Sequence, residues 1–90
     1  MDERNPEIEG AIIEALESAA RPRGIGWHGL RHRSSGRSIW VECHLLFSRG
    51  TPIEEAHAMA SSVERAIEAA LPDRTRVITH LESAEDHTAD

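Results

Sequence analysis

The chemistry this chain could perform is concentrated in its histidines, six in ninety residues: His28, His32, His44, His57, His80 and His87. Imidazole nitrogen and carboxylate oxygen are the ligands of zinc and other borderline divalent ions. His80 and Glu82 lie two residues apart in a β-rich segment, which places their α-carbons roughly 6.5 to 7 Å apart on one strand face, close enough for both side chains to turn toward one ion. His28, His44 and His57 are further donors if the fold gathers them. Taken singly, each is more often a surface or packed histidine than a ligand. His32 sits between Arg31 and Arg33, where positive neighbours oppose a cation, and His87 lies in an acidic tail; neither is expected to bind metal.

Other chemistries find little support. Cys43 is the sole cysteine, which rules out an internal disulfide and any thiolate-rich zinc knuckle; core filling is its expected role. Arg23-Gly24-Ile25-Gly26 precedes a strand rather than a helix, so it is no phosphate-binding loop. Ser34-Ser35 and Ser61-Ser62 stand in no triad context, and Glu54-Glu55 reads as the first turn of a helix. No catalytic constellation is present, and the chain is not expected to be an enzyme.

Ninety residues with 39% hydrophobic content support one small core, thin because Trp27, Trp40 and Phe47 are the only aromatic residues. A domain of this size is marginal unless a partner subunit or a metal adds stability. The net charge of −6 and the scattered arginines argue against nucleic acid, which requires a basic stripe. The chain has no apolar run of membrane-spanning length and no signal sequence, so it reads as soluble and cytoplasmic, without membrane insertion of its own.

The elements that must position these residues follow from pattern. Residues 5 to 20 read as a helix: Asn5 caps it, Pro6 occupies the first position, Ile8, Ile12, Leu16 and Ala19 recur at helical spacing, and Pro22 and Gly24 end it. A hairpin follows, with strands over residues 25–33 and 37–48 around Ser34-Ser35-Gly36. Along the second strand Ile39, Val41, Cys43, Leu45 and Phe47 face one way and Trp40, Glu42, His44 and Leu46 the other. Thr51-Pro52-Ile53-Glu54 has the form of a capping box opening a second helix, which Pro72-Asp73 stops. A last strand spans residues 75–82, with Ile78, His80 and Glu82 sharing a face. The order helix, strand, strand, helix, strand predicts an α+β domain with two helices on one face of a three-stranded antiparallel or mixed sheet. The other face, bearing Trp40, Leu46 and Ile78, is left open to a partner. Residues 1–5 and 83–90 are expected to be tails around a domain of residues 6–82.

Four segments, in order, resemble a known family: Trp27-His28-Gly29-Leu30-Arg31-His32-Arg33-Ser34-Ser35-Gly36, Val41-Glu42-Cys43-His44-Leu45, Pro52-Ile53-Glu54-Glu55-Ala56-His57 and Val77-Ile78-Thr79-His80-Leu81-Glu82. Together they are similar to the cytoplasmic C-terminal domain of cation diffusion facilitator transporters. The resemblance implies a ferredoxin-like αββαβ two-layer sandwich, a V-shaped homodimer, and metal binding by His28, His44, His57, His80 and Glu82. Zinc is the expected ion, with other divalent transition metals as alternatives. Glu82 stands where many members carry aspartate, and Leu81 replaces a polar residue that in some members touches the partner's metal. Members also carry a membrane-embedded bundle before this domain, so the chain reads as an excised domain or as a stand-alone version that senses, buffers or delivers metal. Five donors exceed one tetrahedral zinc, which implies two ions or divided ligands, with His57 drawn toward His80 and Glu82 on binding. The competing reading is a dimeric scaffold of the same fold whose histidines are structural.

Overall fold

The computed structural model describes residues 5–72 and 74–84. Helix α1 spans Pro6–Ala20, a 3-10 turn follows at Arg21–Arg23, strands β1 and β2 span Gly26–Ser35 and Ser38–Phe47, helix α2 spans Ile53–Ala69 and strand β3 spans Thr75–Ser83. Asn5 caps α1 as its side-chain type requires: Oδ1 accepts from the amides of Glu7 and Ile8 at 2.9 and 3.2 Å. The 3-10 turn after α1 ends at Gly24, whose φ of 73° is the left-handed conformation that glycine adopts without strain.

The start of α2 departs from the capping box. The helix begins at Ile53 with no side-chain cap, and Thr51 Oγ1 instead donates to the Ser48 carbonyl at 2.7 Å. Pro52 occupies the cap position, so Thr51 lies one residue outside the helix start. Pro52, lacking an amide, still suits the helix start.

The sheet has the order β1-β2-β3, antiparallel between β1 and β2 and parallel between β2 and β3, with α2 as the crossover. It is the mixed form of the expected sheet. Both helices cover one face. Ile12 and Leu16 of α1 and Ala56, Ala60, Val63 and Ile67 of α2 are buried against Ile39, Val41, Cys43, Leu45 and Phe47 of β2 and Val77 of β3. β2 thus alternates buried and half-buried from Ile39 to Phe47, as a central strand with one covered face must. Side chains also tie the layers together: Trp27 Nε1 donates to Glu17 at 2.9 Å, and Thr79 Oγ1 donates to Glu64 at 2.6 Å.

β1 does not alternate uniformly. The register shifts between His28 and Arg31, where Gly29 and Leu30 together oppose Cys43 and Gly29 has φ of 66°. This β-bulge reverses the faces beyond it. His28 lies on the open face, whereas His32, four residues on, points into the helix layer.

Candidate metal centre

Strand register assembles the open face in rows. His28 pairs with His44, and His44 with His80, so three imidazoles from three strands stand side by side. Their ring centroids are 4.9 Å apart at each step, with the planes inclined by 30° and 28°. One row further, Glu82 stands beside Leu46, and its carboxylate folds back onto the histidines. Oε1 meets His28 Nε2 at 3.1 Å and Oε2 meets His44 Nδ1 at 2.5 Å. These hydrogen bonds hold the Glu82 carboxyl below the usual carboxylate range, the contact from His28 contributing most and that from His44 next.

His28, His44 and Glu82 each offer one ligand atom, and those atoms lie within 4.8 Å of one another. Two imidazole nitrogens and one carboxylate oxygen match the donor preference of zinc and similar ions, and three protein donors leave a position for water or a further ligand. Each histidine would have to present an unprotonated ring nitrogen to the ion.

The other expected ligands fall elsewhere. His80 belongs to the histidine row, but its Nε2 meets Oε2 of Glu42 at 2.5 Å rather than Glu82. His57 is exposed on α2 and lies outside the three-residue group. His32 is packed: its side chain is only 3% exposed, and Nε2 meets Glu9 Oε1 of α1 at 2.9 Å. His87 is outside the described residues. Cys43 faces the core, where burial, followed by the negative charges of Glu64 and Glu42, pushes its thiol up to about 11.

Two residues of the site were not singled out from sequence. Glu42 was placed on the open face by strand alternation, and its position two residues before His44 was the available signal. Gly29 makes room for His44: a β-carbon there would lie 3.0 Å from His44 Cδ2. Its only trace in sequence is a glycine inside a strand pattern.

The fold and site define an α+β two-layer domain that gathers two histidines and a carboxylate on its uncovered sheet face. The chain is a member of the family of cation efflux protein cytoplasmic domains, whose model matches residues 5–84. It is 34% identical over 79 residues to the cation-efflux pump FieF of Cronobacter sakazakii, an alignment covering 87% of this chain and 26% of the pump. The chain therefore spans about a quarter of the curated relative it matches. A structure of the zinc transporter CzrB in its zinc form superposes with a TM-score of 0.80 at 33% identity, covering 96% of this chain and 97% of the other. The metal-bound C-terminal domain of the CzcD transporter from Thermotoga maritima shares the fold, with a TM-score of 0.75 at 19% identity. No helix among the described residues is long and apolar enough to cross a membrane.

Proposed function

We propose that this domain binds a divalent metal ion, zinc first, through His28, His44 and Glu82, and that binding regulates a cation efflux protein to which the domain belongs as a dimerising unit. The observation that carries the reading is the convergence of those three ligand atoms within 4.8 Å, from strands β1, β2 and β3. Similarity to CzrB in its zinc form supports the choice of ion. An ion held by all three strands stabilises the arrangement in which they are in register, and it biases attached domains only to the extent that it binds that arrangement better. His80, next in the row, and His57, on the adjoining helix, are further donors. Pairing of two copies would cover apolar surface that one chain exposes, including Ile53, which is 80% exposed, and Leu81.

Isothermal titration with zinc tests the reading. The wild-type chain should bind with a clear heat, and the His28→Ala, Glu82→Gln double variant at least tenfold more weakly. Zinc at a hundred times its Kd should raise stability by about 2.7 kcal/mol. A wild-type chain that gives no heat and whose melting temperature ignores both zinc and chelator would overturn the metal reading and favour a scaffold.

A further inference from the structure

We propose that the arginine-rich end of the sheet, where β1 turns into β2 and β3 begins, is a docking surface for an anionic lipid bilayer. Its arginines are far apart in sequence, and the fold brings them together. In register across the open face, Arg33 pairs with Trp40 and Trp40 with Arg76, so two guanidinium-bearing residues flank one indole across about 10 Å. Arg31 lies on the next row, opposite Glu42. Arg37 is in the turn between β1 and β2, and Arg74 immediately precedes β3, its carbonyl accepting from the Ile39 amide at 3.1 Å. Five of the chain's ten basic residues therefore gather at one end of the sheet, and all five are exposed.

Internal partners do not consume this charge. Among the described residues none of the five arginines is in an ion pair, and Glu42 turns to His80 rather than to Arg31. The Arg33 guanidinium stands 5.0 Å from the centroid of the Trp40 ring, a contact that holds the side chain in place and leaves its charge intact. The Trp40 row is four residues along β2 from His44, about 13 Å away, so the face is divided into a basic end and a histidine end. Two copies paired symmetrically through the basic end would set arginine against arginine, which opposes a second copy as the occupant. An anionic bilayer suits it. Guanidinium groups bind phosphate bidentately, and tryptophan is the side chain that favours the headgroup level of a membrane. A cytoplasmic domain of a cation efflux protein works beside the cytoplasmic leaflet, whose anionic lipids attract basic clusters. With a net charge of −6, the rest of the chain is repelled by the same surface, so the field turns this end toward the bilayer.

The test is co-sedimentation of the full chain with vesicles of phosphatidylcholine alone and with vesicles that also contain phosphatidylglycerol. Chelator is present throughout, which makes the outcome independent of the metal site. Wild type should bind the anionic vesicles at least tenfold more tightly than the neutral ones and lose that preference at high salt. Each arginine near the surface contributes about fivefold, so the Arg33→Gln, Arg76→Gln double variant should bind more than tenfold more weakly. The Arg49→Gln, Arg65→Gln double variant removes the same charge from exposed positions elsewhere and should change binding less than threefold. Circular dichroism confirms the fold of each variant. Equal binding to the two vesicle types, binding to neither, or equal losses in the two double variants overturns the proposal. Capture of labelled polyglutamate by a chain that leaves the vesicles unbound overturns it in favour of an acidic protein partner.

Discussion

Replacing Gly29 with alanine perturbs the fold and the metal group through two separable effects. The backbone there has φ of 66°, a left-handed conformation that costs a non-glycine residue about 1–2 kcal/mol. The added methyl would also lie 3.0 Å from His44 Cδ2, so the ring must give by a few tenths of an ångström. His44 is held on its other edge by Glu82 at 2.5 Å, so a shift away from Gly29 presses the ring onto that contact and alters the geometry of the ligand group. Gly24 provides the control, since its φ is 73° and nothing lies within 4 Å of a β-carbon built there. Both Gly29→Ala and Gly24→Ala should therefore lose about 1–2 kcal/mol, equivalent to a melting temperature roughly 4–16 °C lower for a domain of this size. Only Gly29→Ala should also lose zinc affinity, on the order of tenfold, the scale at which disturbed supporting contacts act on metal sites. Thermal unfolding in chelator and calorimetric zinc titration read the two effects independently. Equal zinc affinity in the two variants would refute the claim that Gly29 positions His44.

Two further outcomes follow from residues outside the metal group. His32→Ala removes a packed ring and its contact to Glu9, and should cost about 2 kcal/mol in urea unfolding with zinc affinity unchanged; a loss of zinc binding beyond threefold would contradict its structural role. The Cys43 thiol is raised from about 9 to about 11, so between those values the unfolded chain releases a proton that the folded chain retains. Stability should then fall as pH rises through that window, by more in wild type than in Cys43→Ala, as measured by urea midpoints. Equal slopes in the two proteins would show that burial does not hold the thiol neutral.

Local pattern carried much of the architecture. Asn5 and Pro6 announced α1, and the strict alternation from Ile39 to Phe47 identified a strand with one buried face, placing Glu42 and His44 on the open side. These features were legible because capping depends on adjacent residues and strand alternation has a period of two. The expected cap at Thr51 failed because the helix starts one residue later than the box requires: Pro52 stands at the cap position, and Thr51 Oγ1 turns back to the Ser48 carbonyl.

The residue types alone determined that this chain could bind a borderline metal ion, since imidazole and carboxylate are the donors and thiolate is nearly lacking. Which carboxylate serves which histidine was decided only by tertiary structure. His80 and Glu82 are neighbours in sequence and share a strand face, yet Glu82 reaches His28 and His44 while His80 turns to Glu42. The parallel register of β3 on β2 sets those partners, and register is a property of two strands that neither carries alone. The bulge at Gly29 likewise sent His28 to the open face and His32 to the core. Two histidines four residues apart would share a face of a regular strand, and one extra residue in the ladder separated a candidate ligand from a structural one.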